Sequence, residues 1–122
     1  MALHNRIGAW GEKVAVDHLV SKGYAITETN WRMNHLEIDI IAMHGDRIVF
    51  VEVKSRSNVD DDPIMAVDRT KMRNMARAAN CYVQARDIPH EIQFDIIGIS
   101  GTPDNYRIEH LADAFLPPLK TY

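Results

Sequence analysis

Apolar residues recur along this chain at two spacings. From residue 6 to residue 22, Ile7, Trp10, Val14 and Leu19 fall at helical intervals, which predicts a first helix with one buried stripe. Asn5 is placed to cap its start and Gly23 to stop it. Residues 24–31 predict a strand with Tyr24 and Ile26 turned inward. Residues 37–56 are rich in β-branched side chains on both sides of Gly45-Asp46, the signature of two strands joined by a two-residue hairpin turn. Residues 55–63, full of Asp, Asn and Ser, predict an exposed loop. A second helix is predicted over residues 68–85, with Met72, Met75, Ala76, Ala79, Tyr82 and Val83 as its buried stripe. Residues 92–99 and 106–111 predict two further strands, and Pro117-Pro118 ends regular structure. The order αβββαββ predicts an α/β fold, helices flanking a mixed central sheet.

Polar residues interrupt the most strand-like segment. The hairpin turn sets a register in which His44 faces Arg47, Ile41 faces Phe50, Asp39 faces Glu52 and Glu37 faces Lys54. Side chains alternate across a strand, so this set shares one sheet face. The other face, Ile38, Ile40, Ala42, Val49, Val51 and Val53, is wholly apolar and predicts a covering helix. Charges on a strand ordinarily mark a solvated face, here with a Glu37–Lys54 cross-strand pair. That account leaves Asp39 opposite Glu52, and like charges ~5 Å apart destabilise a sheet. One of them would have to hold a proton. A divalent cation between them removes the conflict, and hard oxygen ligands suit Mg²⁺ or Mn²⁺. The Val53 carbonyl is a further candidate ligand. Lys54, one strand step beyond Glu52, can orient a water or neutralise charge on a phosphate oxygen. Two carboxylates, a metal and a lysine are the parts that phosphodiester hydrolysis needs.

Composition narrows the setting. The chain has 122 residues, 46% of them hydrophobic, which predicts one globular domain over residues 1–122, with a core at about 5–111 and a tail at 112–122. Met1-Ala-Leu-His-Asn-Arg-Ile7 lacks the apolar core of a signal peptide, and no run approaches a membrane span. Cys81 is the only cysteine, so a disulfide framework and a thiolate zinc site are excluded. A cytoplasmic location without membrane contact is expected. The net charge of -3 argues against a polycation-like nucleic-acid binder, yet the charge is uneven. Five basic and no acidic residues lie between Arg69 and Arg86, just after Asp60, Asp61 and Asp62.

Asp39 followed across a hairpin by Glu52-Val53-Lys54 resembles the core motif of the PD-(D/E)XK nuclease superfamily. With Gly8-x-x-Gly11-Glu12, Gly23-Tyr24, Asn30-Trp31-Arg32, Glu37-Ile-Asp-Ile-Ile-Ala42 and Val49-Phe-Val-Glu-Val-Lys-Ser-Arg56, the chain resembles the YraN-like family of small bacterial endonuclease-like proteins. Order and spacing are also similar to archaeal Holliday junction resolvases. The resemblance runs from about residue 5 to residue 99. It implies a restriction-endonuclease-like α-β-β-β-α-β core and a Mg²⁺- or Mn²⁺-dependent endonuclease acting on DNA, including branched forms met in repair or recombination. It implies Asp39, Glu52, Lys54 and Glu12 as catalytic residues, and a homodimer by analogy. Three departures stand out. Ile38 replaces the Pro of the superfamily name. The helix after Glu-x-Lys offers Arg69, Lys71 and Arg73 where many relatives carry Gln. The acidic run at residues 60–62 would repel DNA if turned towards the site.

Other residues have two readings each. Glu12 is either solvated helix surface or a carboxylate reaching the metal, and Gly8 and Gly11 beside it either permit tight packing or admit a ligand. Glu37 either supports Lys54 or holds a second metal; the supporting role is favoured, and Lys71 is assigned a supporting role too. Arg69, Arg73 and Arg77 make one helix stripe, either solvated or in contact with phosphate, with Arg32 and Arg56 on the same basic rim. Asp95 is read as structural, Cys81 as inert, and the six His as surface or satisfied core residues. Trp10 and Trp31 are read as core, as are Met65, Met72 and Met75. The alternative to a nuclease is a non-cleaving nucleic-acid-binding module that acts with a repair partner; RNA is a third possibility as substrate.

Overall fold

The computed structural model describes residues 3–115, and side-chain burial from residue 8 onward. Pro117 and Pro118 lie outside the described residues. The chain runs α1 (Leu3–Ser21), β1 (Ala25–Met33), β2 (Leu36–His44), β3 (Arg47–Arg56), a 3-10 turn (Pro63–Ala66), α2 (Arg69–Ala85), β4 (Glu91–Thr102) and β5 (Asn105–Leu111). The strands form one sheet in the order β1-β2-β3-β4-β5. Pairing is antiparallel except between β3 and β4, whose parallel run is bridged through α2, as a parallel connection requires. This is the mixed, helix-flanked sheet of a restriction-endonuclease-like α/β fold.

Local chemistry accounts for the element ends. Gly23, at φ +92, closes α1: its N–H donates to the Val20 carbonyl and that of Tyr24 to the Leu19 carbonyl, both at 3.0 Å. Those two bonds satisfy carbonyls that the last helical turn leaves open. The helix begins at Leu3, so Asn5 lies inside it and does not cap it. Asp68 caps α2, its carboxylate accepting the Lys71 N–H at 2.9 Å. Gly45 turns the β2–β3 hairpin at φ +63, and His44–Arg47 and Ile41–Phe50 pair as the turn dictates.

The two sheet faces carry separate cores. On one, Ala15 and Leu19 of α1 pack on Tyr24, Ile40, Ala42, Val49, Val51, Ile97 and Ile99. On the other, Met75, Ala78, Ala79 and Tyr82 of α2 pack on Ile41, Ile48, Phe50 and Phe94. Met72, Ala76 and Val83, expected in the α2 stripe, are only half-buried, and Ala78 takes a central place. Gly11 is where α1 comes closest to β3: a Cβ there would stand 2.1 Å from Ser55 Oγ. Gly8 has no such reason, since nothing lies within 4 Å of its Cβ position.

Ile38 corrects the simple alternation expected for β2. It joins Leu36 and Ile41 in the α2 core, whereas Ile40 and Ala42 join the α1 core. The facing of the strand therefore shifts by one residue at Asp39. Its opposite number on β1 is Asn30, between the paired Thr29–Ile40 and Trp31–Ile38. Asn30 adopts φ +52, a left-handed conformation that Asn tolerates better than most side chains. A matched kink in two adjacent strands thus sits at Asp39.

Candidate active site

Asp39 lies at the point where β2 and β3 stop pairing. The last paired residues are Ile40 and Val51. Beyond them Asp39 Oδ2 accepts the Val53 N–H at 2.8 Å. A side chain therefore replaces a strand carbonyl as partner of that amide, and the strands part around a carboxylate. Asp39 and Glu52 do come together, as expected, although not as a ladder pair. Glu37 does not pair with Lys54. Its carboxylate binds Arg32 Nε at 2.6 Å, Arg32 being its cross-strand partner on β1.

Glu52 is the most confined charge of the site, 3% exposed. Its Oε2 meets two ammonium groups, Lys71 Nζ at 3.4 Å and Lys54 Nζ at 3.8 Å. Burial, then the Asp39 carboxylate, push the Glu52 carboxyl up to about 8, against the smaller opposing pull of Lys71 and Lys54. A carboxyl so placed holds a proton near neutral pH in the absence of a cation. Glu12 reaches the same neighbourhood from α1. Its Oε1 accepts Asn30 Nδ2–H at 2.8 Å. Burial raises its carboxyl, the Asn30 bond opposes that, and the Asp39 and Glu37 charges raise it further. Glu12, Glu37, Asp39 and Glu52 thus form one electrostatically linked set of carboxylates.

The donor set is oxygen throughout, which fits a hard divalent ion such as Mg²⁺ or Mn²⁺. An ion between Asp39 and Glu52 would relieve the like-charge repulsion that helps to raise the Glu52 carboxyl. Among the described residues, no three acidic, His or Cys side chains already converge as a cation cage. Asp39, Glu52 and Glu12 are the carboxylates that could hold the ion.

The basic residues divide into two groups. Lys71 heads the α2 stripe that continues through Met75, Ala78 and Tyr82, so it points to the sheet and into the site. Arg69, Arg73 and Arg77 are exposed, on the side of α2 away from that stripe. Arg32, engaged by Glu37, stands beside the site, and exposed Arg56 donates to the Ser55 carbonyl at 3.0 Å. The acidic loop is fastened at the far edge: Arg107 of β5 donates to the Asp61 carbonyl at 3.2 Å and to Ser100 Oγ at 3.1 Å. Sequence reasoning gave no role to Asn30, although Asn between a β-branched residue and Trp is a signal for left-handed backbone.

Asp95, read as structural, is fully buried on the α1 face. Oδ2 accepts the Tyr24 hydroxyl at 2.9 Å and contacts His110 Nε2 at 2.7 Å. Oδ1 accepts Gln93 Nε2–H at 2.8 Å and the Asp113 N–H at 3.0 Å. Burial alone would raise this carboxyl, but the donors outweigh it and bring it below its ordinary value. His18 Nε2 lies 3.1 Å from His110 Nδ1 and extends the network to α1.

A mixed α/β sheet that opens around an Asp, a buried Glu and two lysines defines a restriction-endonuclease-like protein with an acidic site. Residues 11–99 match the family described as "Uncharacterised protein family UPF0102", and the chain belongs to that family, the YraN-like group. A UPF0102 protein of Bacteroides thetaiotaomicron is 44% identical over 120 residues, covering 98% of this chain and 99% of its own. One from Flavobacterium psychrophilum is 44% identical over 116 residues, covering 94% and 98%. Another, from Bacteroides fragilis, is 43% identical over 120 residues, covering 98% and 99%. Among the described residues no helix is long and apolar enough to cross a membrane.

Proposed function

We propose that this chain is a divalent-cation-dependent endonuclease that hydrolyses phosphodiester bonds of DNA. The observation that carries the reading is the buried Glu52 beside Asp39, with two ammonium groups on one Glu52 oxygen. An ion pair network built for stability alone would be a poor use of a buried site, because well-packed apolar residues serve as well or better. Asp39, Glu52 and Glu12 hold the ion in this reading, with the Val53 carbonyl as a further ligand. An ion held there would supply Lewis acidity, acidifying a water and polarising a phosphoryl oxygen.

The chain's own residues do the rest. Asp39 is fixed through Oδ2 by the Val53 N–H, which leaves Oδ1 for the ion in this reading. Lys54 orients the attacking water and offsets charge on the pentavalent transition state. Glu37 holds Arg32 at the rim, where Arg32 and Arg56 meet phosphate. Arg69, Arg73 and Arg77 extend that contact over the outer side of α2, so affinity falls as salt rises. Branched DNA is the favoured form by analogy with the resolvases. A symmetric dimer would supply one site per strand, and a cytoplasmic setting with a repair-protein partner belongs to the same reading.

A substrate panel tests it: linear duplex, single strand, flap, four-way junction and RNA, each with Mg²⁺, Mn²⁺ or EDTA. Cutting of DNA that needs the cation, and that is greatest on one branched form, is expected. Salt-sensitive binding of every substrate without cutting would replace the enzyme with a binding module.

A further inference from the structure

We infer that the Lys71 ammonium occupies Oε2 of the Glu52 carboxyl in the cation-free site, and that a divalent cation displaces it from there. This rests on the cation-site reading above and assigns Lys71 a part in it. Three observations carry the inference.

The first is position. Lys71 stands four residues before Met75 on the α2 stripe that covers the sheet. Lysine is rarely placed on such a stripe unless a partner receives it. Its partner is Glu52, at 3.4 Å, nearer than Lys54 at 3.8 Å. Asp68 fixes the start of the helix by accepting the Lys71 N–H at 2.9 Å, so the side chain is launched from a rigid turn.

The second is competition. Both ammonium groups engage Oε2 of Glu52. A hard cation takes a carboxylate oxygen at about 2.1 Å. The Lys71 ammonium would then face a doubly charged ion a few ångströms away in a poorly solvated pocket, where repulsion is strong. Ion and ammonium are alternatives at that oxygen.

The third is an exit. The Lys71 side chain is 35% exposed while that of Glu52 is 4% exposed. The carboxylate has no route out of the pocket, but the ammonium does. Freed at the mouth of the site, it meets the phosphate backbone of a bound nucleic acid.

The test is Mn²⁺ affinity, read from the spin resonance signal of the free ion, with no nucleic acid present. Lys71→Met and Lys71→Gln, both uncharged, remove the competitor, and both are expected to bind Mn²⁺ about tenfold more tightly than wild type. Lys71→Arg retains the charge and should stay within about twofold of wild type. Arg69→Met removes the same unit of charge from a solvent-facing position of the same turn, and it too should stay within about twofold. Thermal melting of each variant identifies those that fold, and either Lys71→Met or Lys71→Gln suffices. Equal or weaker Mn²⁺ binding in the folded variant overturns the inference and leaves Lys71 as a structural partner of Glu52. A gain of the same size in Arg69→Met overturns it as well, since the effect would then be bulk charge. Failure of the wild type itself to bind Mn²⁺ overturns the cation site first and this inference with it.

Discussion

Asp39 accepts the backbone N–H of Val53 at 2.8 Å, just beyond the paired stretch of β2 and β3. One carboxylate oxygen thus replaces a ladder bond and the other remains for the site. Asp39→Asn keeps an oxygen for that amide and removes the charge beside Glu52. Its stability should lie within about 1 kcal/mol of wild type, and the Glu52 carboxyl should titrate closer to its ordinary range, read by carbon-13 NMR. Asp39→Ala leaves the amide without a partner and should cost about 1–3 kcal/mol. Equal stability of the two variants in denaturant titrations would remove the hydrogen bond from the account.

Glu52 makes a pH-dependent prediction. Its folded-state value of about 8 lies above the ordinary 4.5, so its neutral form stabilises the cation-free fold below about 4.5. That contribution is lost as pH rises towards 8. Glu52→Gln is neutral throughout. Relative to wild type it should melt at nearly the same temperature at pH 4.5 and on the order of 15 °C higher at pH 8. A difference that does not change with pH would show that Glu52 carries no raised carboxyl.

Asp95 predicts the opposite trend. Its folded-state value is depressed, so its stabilising contribution is present above the ordinary carboxylate range. It is lost as pH falls through the folded-state value. Asp95→Asn places a donor among donors in a fully buried network and should cost about 3 kcal/mol. Because this carboxylate sits on the α1 face and Glu52 on the α2 face, Mn²⁺ affinity should not change. Calorimetric melting with a parallel Mn²⁺ titration checks both halves.

Gly11 and Ser55 predict a coupled pair. A Cβ at residue 11 would lie 2.1 Å from Ser55 Oγ and 3.3 Å from Ser55 Cβ. Gly11→Ala gains about 1 kcal/mol of helix propensity but drives the Ser55 hydroxyl to another rotamer and crowds Ser55 Cβ, and should destabilise by about 1 kcal/mol net. In a Ser55→Ala background the hydroxyl is gone and most of that loss should be recovered. A double-mutant cycle measures the coupling; additive effects would mean that helix and strand do not touch there.

How far the sequence led depended on the range of the forces involved. The hairpin register followed from Gly45-Asp46 alone, since a two-residue turn fixes every pair after it, and it holds from His44–Arg47 to Ile40–Val51. It failed at Glu37, where the partner became Arg32. There β2 no longer pairs with β3, whose pairing ends at Ile40–Val51, and Glu37 faces Arg32 on β1; Asn30, opposite Asp39, is left-handed, and Ile38 joins the α2 core. A single backbone conformation of this kind has no periodic signature. Lys71 was visible as a candidate because it lies off the Arg69, Arg73 and Arg77 stripe at the start of α2, whereas its contact with Glu52 depends on how α2 lies on the sheet. Met75, Ala79 and Tyr82 were expected in the buried stripe and lie there, whereas Ala78 was not singled out although it is buried too, because a methyl group's burial is decided by the facing surface rather than by its own hydrophobicity.

The central claim is that Asp39, Glu52 and Lys54 form the working centre of a cation-dependent nuclease. The most direct measurement is cleavage of the best substrate of the panel in Mn²⁺ by wild type, Asp39→Ala and Lys54→Ala, with melting temperature and DNA affinity recorded on the same preparations. The account predicts that wild type cuts, that EDTA stops it, and that both variants lose at least about 100-fold in rate while still folded and still binding DNA. Cleavage that survives in both folded variants would contradict it, because the activity would then lie elsewhere on the chain or in a contaminant.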